Sequence, residues 1–149
     1  MSCGELCTRK VVVAGKGAAI VEVARLMRQY HVGDVVIVER GQDQAVPLGI
    51  ITDRDIVVGL VASETDLGAV TVADVMSFEL VTVGEADMAW DALAKMRRKG
   101  VRRLLVVNDQ GGLEGILTGD DMLEVLAEEV AMLAKVAGRA QRREEEARS

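Results

Sequence analysis

A short motif occurs twice in the chain and constrains its fold more than any other feature of the sequence. Residues 49–55 read GIITDRD and residues 115–121 read GILTGDD, so a glycine, an isoleucine, a threonine and an aspartate recur at the same spacing. In each copy an apolar, strand-like run leads into a threonine. An aspartate follows three residues later, which is the spacing of a helix-capping box. The sequence therefore predicts two equivalent strand-to-helix corners, with N-caps at Thr52 and Thr118.

A longer repeat surrounds the two motifs and extends over most of the chain. Cys7-Thr8 aligns with Met76-Ser77, and the same offset superimposes two predicted helices, residues 18–30 and 85–99. The apolar residues of both helices follow the i, i+3, i+4, i+7 rule. They are Ile20, Val23, Ala24 and Met27 in the first copy and Ala89, Ala92, Leu93 and Met96 in the second. The single gap in the alignment falls in a predicted turn, so the sequence indicates an internal duplication.

Each unit is predicted to have the order β-α-β-β-α. Strands are expected at residues 11–13, 35–39 and 47–51, and again at 80–83, 104–108 and 113–117; helices follow the motifs at 53–63 and from about Gly119. Continuous apolar strands predict sheets that are covered on both faces. We expect repeat 1 to occupy residues 1–65, repeat 2 residues 66–138, and a charged tail residues 139–149.

The last predicted helix continues well beyond the length of its counterpart in the first unit. Apolar residues recur along it at spacings of three and four, namely Leu123, Leu126, Val130, Leu133 and Val136. Gly138 is the expected end of the helix. Because a small two-layer unit does not need this additional apolar stripe, we expect it to be buried against a second chain, which predicts a homodimer.

Composition and charge argue against several classes of protein. A net charge of −6 and a very small aromatic content disfavour a nucleic-acid binder. The chain has neither an apolar run of about 20 residues nor a signal-peptide pattern, which predicts the cytoplasm. Cys3 and Cys7 are expected to be reduced, and with His31 as the only histidine they do not make a convincing zinc site. His31 is expected to end a helix, and without a base-nucleophile pair the chain is predicted not to be an enzyme.

The duplicated unit resembles the cystathionine-β-synthase (CBS) domain, and the tandem resembles a CBS pair, or Bateman module. The resemblance covers roughly residues 5 to 130. It rests on the unit starts (6–8 and 75–77), on residues 24–27 and 100–104, and on the two Gly-x-x-Thr-x-x-Asp motifs. It implies an α+β fold, a tandem CBS-domain pair of two β-α-β-β-α units related by pseudo-two-fold symmetry. Residues 52–56, TDRDI, resemble the form common in stand-alone bacterial CBS-pair proteins.

The resemblance also implies a regulatory protein that binds an adenosine-containing ligand in the cleft between its repeats. AMP, ADP, ATP, NAD and S-adenosylmethionine are the ligands it suggests, with no cofactor required. The family's roles place the ribose hydroxyls on Asp55 and Asp121, which agrees with the ability of one carboxylate to accept two hydrogen bonds. They place the phosphate beside Thr52 and Thr118, where a helix N-terminus favours an anion. The base is expected near Val12 or Val81.

Arginines are the candidate phosphate ligands, because a guanidinium can bind phosphate with two donors. The candidates are Arg54, Arg102 and Arg103. The two pockets are not expected to be equivalent, since the second motif carries Asp120 where the first has Arg54, and Asp34 takes the place of Arg103. We expect at most one pocket to bind a phosphorylated ligand well, and the sequence leaves open which one. The alternative function is a ligand-free homodimerising scaffold, and the sequence names no protein target.

Overall fold

Two three-stranded sheets with helices packed on them form the body of the protein in a computed structural model that describes all 149 residues. In each sheet the first strand is parallel to the second, and the second is antiparallel to the third. The first half contains α1 (Cys3–Leu6), β1 (Val13–Gly15), α2 (Ile20–Tyr30), β2 (Asp34–Arg40), β3 (Ala45–Thr52) and α3 (Asp53–Ile56). The second contains α4 (Val72–Val75), β4 (Thr82–Gly84), α5 (Ala89–Lys99), β5 (Arg103–Val107), β6 (Leu113–Thr118) and α6 (Gly119–Arg148). The predicted β-α-β-β-α order is present in both units, which are related by a pseudo-two-fold axis.

Several element boundaries differ from those predicted. β1 and β4 begin two residues later than expected, and both long helices begin later than residues 18 and 85. α3 is a single turn that continues as a π-helical turn, Val57–Val61, in which the Ala62 N–H donates to the Val57 carbonyl at 2.9 Å. Glycine and β-branched residues are poor helix formers, which explains why the predicted helix 53–63 is irregular.

The predicted helix end at Gly138 is wrong. α6 passes through Gly138 and continues to Arg148, because one glycine costs a helix only about 1 kcal/mol relative to alanine and the following residues are mostly good helix formers. The expected charged tail is therefore helical over residues 139–148. The division of the chain into repeats at residue 65 and at residue 138 stays a prediction. None of the helices combines the length and the apolar character needed to cross a membrane.

The duplication extends to details of the backbone. His31 and Gly100 occupy equivalent positions and close α2 and α5 in the left-handed conformation, with φ values of 54° and 66°. The prediction that His31 ends a helix is thus confirmed. Each sheet also has a register irregularity at the matching place, between Ile37 and Val38 in one and between Val106 and Val107 in the other.

Both faces of each sheet are covered, as the continuous apolar strands predicted. One face of each sheet packs on its helices, and the opposite faces meet in a smaller central core around Val36, Val38 and Leu105. In β2, Val35 and Ile37 point to the helices while Val36 and Val38 point to the central core. The alternation of side chains along a strand therefore joins the two units through their sheets.

The leading segment of each repeat packs on the other unit. Cys3 and Cys7 are buried in the core formed by α5, β5 and β6, whereas Val72 and Met76 are buried in the core formed by α2, β2 and β3. The Thr8 N–H donates to the Ile116 carbonyl at 2.8 Å, and the Ile116 N–H donates back at 3.0 Å. Each core is thus completed by the other repeat, so neither half of the chain has a complete core of its own.

Both cysteines are expected to react slowly in the folded protein. Cys3 and Cys7 are free thiols with 0% and 9% exposure. Burial raises the pKa of both, so less of the reactive thiolate is present at pH 8. When the protein is mixed with a thiol-specific chromogenic disulfide, the coloured thiolate of the reagent should be released slowly by the native protein and rapidly after unfolding. Rapid release of two equivalents from the native protein would contradict the buried placement.

Candidate functional site

A cavity of about 330 Å³ lies where the first motif meets the second unit. The end of β3 supplies one wall, and residues leading into β4 and β5 supply the others. Its lining residues are Ile50, Thr52, Ser77, Glu79, Leu80, Val81, Val101, Arg102, Arg103 and Leu105. Its volume is within the range of small-molecule sites, and its apolar walls with a few convergent polar groups are typical of them. We refer to it as the interunit cavity.

The interunit cavity owes its shape to the exchange of segments between the units. The Ile50 N–H donates to the Ser77 carbonyl at 3.1 Å, and the Ser77 N–H donates back at 2.9 Å. This pair brings residues 77–81 against the end of β3. Val81 lies just before β4, and its carbonyl accepts from the Leu105 N–H at 3.0 Å. Four predicted site residues, Thr52, Val81, Arg102 and Arg103, consequently line one cavity.

Asp55 adjoins the interunit cavity through Thr52 and does not line it. The Thr52 N–H donates to Asp55 Oδ2 at 2.9 Å, and the Asp55 N–H donates to Thr52 Oγ1 at 3.1 Å, so both halves of the predicted capping box are present. Only Oδ2 of the half-buried carboxylate is used in this way. Oδ1 therefore has its lone pairs available for further donors.

The second corner repeats this geometry at Thr118 and Asp121. The Thr118 N–H donates to Asp121 Oδ2 at 2.8 Å, and the Asp121 N–H donates to Thr118 Oγ1 at 3.1 Å. Neither residue lines the interunit cavity. Val12 lines a separate surface cavity of about 560 Å³, together with Leu26 and Tyr30 of α2. The residues predicted from the second motif are thus not gathered in the same place as those from the first.

Arg103 is the most constrained cation of the interunit cavity. Its Nε lies 2.7 Å from Asp34 Oδ2, and the Asp34 side chain is only 19% exposed. The two residues are equivalent in the duplication, so the chain carries opposite charges at the two symmetry-related positions and pairs them across the units. The bridge holds the guanidinium at the cavity, but it also occupies one of the donors that an anionic ligand needs.

The other charged residues near the interunit cavity are more exposed. Arg102 lies 3.7 Å from Asp120, with side chains 85% and 82% exposed, so solvent screens this pair and it contributes little to stability. Glu79 lines the cavity as well and is unfavourable for a nearby phosphate. Arg54 is exposed and does not line the cavity. The lining itself has two arginines against one glutamate, and both arginines also pair with aspartates beside the cavity, Asp34 and Asp120.

Sequence reasoning missed most of the apolar lining of the interunit cavity. Ile50, Leu105 and Val101 were not among the predicted site residues, nor was Ser77. Ser77 had a sequence signal, since it belongs to the start of the second repeat. Its hydrogen-bonded pairing with Ile50 has no local sequence signature, because the two residues come from different repeats.

Comparison with known proteins identifies the architecture. The CBS domain model matches residues 3–62 and residues 72–128. The chain belongs to the CBS-domain family. Both repeats are matched, so the protein carries a tandem CBS pair, and the resemblance drawn from the motifs is confirmed at that level.

Individual relatives of this CBS pair come from archaea and from bacteria. It is 38% identical over 125 residues to the uncharacterized protein MK0525 of Methanopyrus kandleri, an alignment that covers 84% of this chain but only 62% of the relative. It is 38% identical over 122 residues to the CBS domain-containing protein YhcV of Bacillus subtilis, covering 81% of this chain and 82% of YhcV. Because an archaeal and a bacterial relative are equally similar, the comparisons do not confirm the expected bacterial type of CBS-pair protein.

A solved CBS structure shares the fold over most of both chains. The CBS domain protein PAE2072 from Pyrobaculum aerophilum, determined in complex with AMP, superimposes with a TM-score of 0.71 at 31% identity. The match covers 81% of this chain and 89% of PAE2072. The two-sheet architecture described above is therefore that of a known CBS domain protein.

Proposed function

We propose that this CBS pair is a regulatory sensor that binds an adenosine-containing ligand in the interunit cavity. The observation that carries the proposal is the convergence of Thr52, Arg102 and Arg103 on one cavity with an apolar wall at Val81. The AMP complex of PAE2072 supports the choice of ligand class. AMP or ATP acts as a regulatory ligand in this proposal and not as a required cofactor.

Each part of an adenine nucleotide has a suitable partner at the interunit cavity. The apolar wall of Leu80, Val81 and Val101 suits the base, and Asp55, which is hydrogen-bonded to Thr52 of the lining, suits the ribose hydroxyls through its Oδ1. The phosphate suits the corner at Thr52 and the guanidinium of Arg103. Because both arginines lie at this cavity, we assign the phosphorylated ligand to it and not to the corner at Thr118.

Ligand binding is expected to stabilise the folded protein. A ligand that binds only the native state adds about 2.7 kcal/mol at a concentration 100 times its dissociation constant. Thermal denaturation with AMP, ATP, NAD and S-adenosylmethionine therefore ranks the candidates, and isothermal titration gives the affinity and the stoichiometry. We expect AMP or ATP to raise the Tm with one site per chain. A well-folded sample that responds to none of the four would contradict the proposal.

Asp55→Ala is expected to weaken AMP binding at least about tenfold, because hydrogen bonds to a charged group contribute about 1.5–3 kcal/mol each. The substitution also removes a capping box, so a matched control is needed. Asp74 makes the corresponding carboxylate contact at α4, accepting from the Thr71 N–H at 2.9 Å, although its own N–H donates to the Thr71 carbonyl, and it does not line the interunit cavity. Asp74→Ala should therefore cost similar cap stability and leave the affinity unchanged. Equal AMP affinities in the two variants would refute the ribose assignment.

In the same proposal, the protein regulates another protein and does not catalyse a reaction. The sensor would act through a protein target in the cytoplasm and would work as a homodimer. The second candidate is a scaffold that dimerises without ligand, and the exposed apolar residues of α6 favour it, with Val130 at 65% and Leu133 at 69% exposure. The two candidates separate cleanly, since a scaffold gives no thermal shift with any adenosine compound.

A further inference from the structure

We propose that α6 pairs with α6 of a second copy as an antiparallel, two-stranded coiled coil. This deepens the homodimer proposal by naming the surface, the register and the orientation. It does not depend on ligand binding, so the two can fail separately. The surface in question is the apolar seam of α6 formed by Leu126, Val130, Leu133, Ala137 and Ala140.

α6 extends far beyond what the CBS fold requires. The family match ends at residue 128, whereas the helix continues to Arg148, a further length of about 30 Å at 1.5 Å per residue. Every residue from 127 onward is exposed. Most of the stability of helices in proteins comes from the packing of an apolar face, which this extension lacks in a single chain. The apolar side chains at Val130, Met132, Leu133 and Val136, each 59–69% exposed, add the cost of hydrated apolar surface.

The spacing of apolar residues along α6 matches that of a coiled coil. The seam residues are separated by four, three, four and three positions, the alternation that keeps one stripe facing a partner helix. Leu126 lies partly buried at the edge of the body, so the seam continues directly from the packed part of the helix. A partner helix could therefore lie along the whole exposed stripe.

The residues of the seam favour an antiparallel partner. When two copies cross near residue 135, Val130 lies opposite Ala140 and Leu133 lies opposite Ala137. Large and small side chains then alternate over the four central levels of the interface, and Leu126 falls opposite Glu144 at each end. A parallel pair in register would instead place leucine on leucine at one level and alanine on alanine at the next, which leaves the alanine levels underfilled.

Charge along the flank of the seam supports the same orientation. Glu129 and Arg143 lie on the same flank, fourteen positions apart. In the antiparallel pair Glu129 of each copy meets Arg143 of the other, which makes two ion pairs by symmetry. In a parallel pair Arg143 approaches Arg148 of the second copy, and no oppositely charged pair forms along the flanks. The helix therefore complements itself, which is why the occupant is a second copy and not a different protein.

Sedimentation of the full chain at micromolar concentration tests the interface. We expect the wild-type protein to be a dimer and Leu133→Lys to be a monomer, because a lysine would be buried at the centre of the seam. Ala131→Lys is the matched control, since it adds the same charge on the opposite face of α6 and should remain dimeric. Circular dichroism and the Tm check that both variants are folded. A monomeric wild type, or a dimer that survives Leu133→Lys, would overturn the proposal.

Cross-linking with a short bismaleimide tests the orientation. Val136 lies beside its own counterpart in the antiparallel pair, whereas the two Glu129 positions are about 18 Å apart along the axis at 1.5 Å per residue. Val136→Cys should therefore give a covalent dimer and Glu129→Cys should not. Both positions lie on one flank, so equal cross-linking of the two variants would indicate a parallel pair and overturn the assignment, as would failure of Val136→Cys. Wild type, with Cys3 and Cys7 buried, sets the background.

Discussion

Gly49→Ala and Gly115→Ala are each expected to lower the free energy of unfolding by about 2–3 kcal/mol, as overpacking of a filled interior does. An added Cβ at Gly49 would lie 2.6 Å from Met76 Sδ and 2.8 Å from the Ser77 carbonyl oxygen. At Gly115 it would lie 2.5 Å from Cys7 Sγ and 2.8 Å from the Thr8 carbonyl oxygen. In both places the obstacle includes backbone of the segment exchanged between the units.

Relief of these contacts would require the exchanged segments to move. The Ser77 and Thr8 carbonyls accept from the N–H groups of Ile50 and Ile116, the residues that directly follow the two glycines. Any shift therefore weakens the hydrogen bonds that join the units. The loss is measured by urea denaturation, with an accompanying drop in Tm of at least about 4 °C.

Gly59→Ala is the matched control for this prediction. Gly59 lies in the π-helical turn, and an added Cβ there meets nothing within 4 Å. The substitution should leave stability unchanged or raise it by about 0.5–1 kcal/mol, since alanine loses less backbone entropy in a helical segment. If Gly49→Ala and Gly59→Ala behaved alike, the close approach at the first motif would not be a determinant of the fold.

Arg103→Ala and Asp34→Asn are expected to change AMP affinity in opposite directions. Loss of the guanidinium removes charge-assisted hydrogen bonds to the phosphate and should weaken binding about tenfold or more. Asp34 accepts from Arg103 Nε at 2.7 Å and competes with the ligand for that donor group. Asparagine keeps the shape of Asp34 but not its charge, so binding should become several-fold tighter.

Isothermal titration with AMP at fixed ionic strength measures both effects. Arg98→Ala serves as the control, because it removes the same charge from the end of α5 and does not line the interunit cavity. Its affinity should match that of the wild type. Weaker AMP binding by Asp34→Asn would show that the ion pair between Asp34 and Arg103 positions the guanidinium and does not compete with the ligand. An unchanged AMP affinity in Arg103→Ala would contradict the assignment of the phosphate to the interunit cavity.

The resemblance to CBS domains supplied the architecture, whereas the internal duplication and the apolar periodicity were enough to predict the order of elements and the two capping boxes. These are local consequences of the chain: a threonine and an aspartate three residues apart cap a helix in any fold that begins one there. The same holds for the covered sheets, because continuous apolar strands require burial on both faces. The asymmetry of charge between the two halves was also readable, since Asp34 and Arg103 occupy aligned positions.

Other features were decided by contacts between residues distant in the chain. The pairing of Asp34 with Arg103, the exchange of the leading segments and the gathering of Thr52, Val81 and the arginines around one cavity all join the two repeats. No local pattern encodes them, because they depend on how one unit is turned against the other. The requirement for a glycine at the start of each motif also depends on contacts between the two repeats. Its recurrence was visible in the sequence, but the carbonyl group that excludes a side chain comes from the opposite repeat.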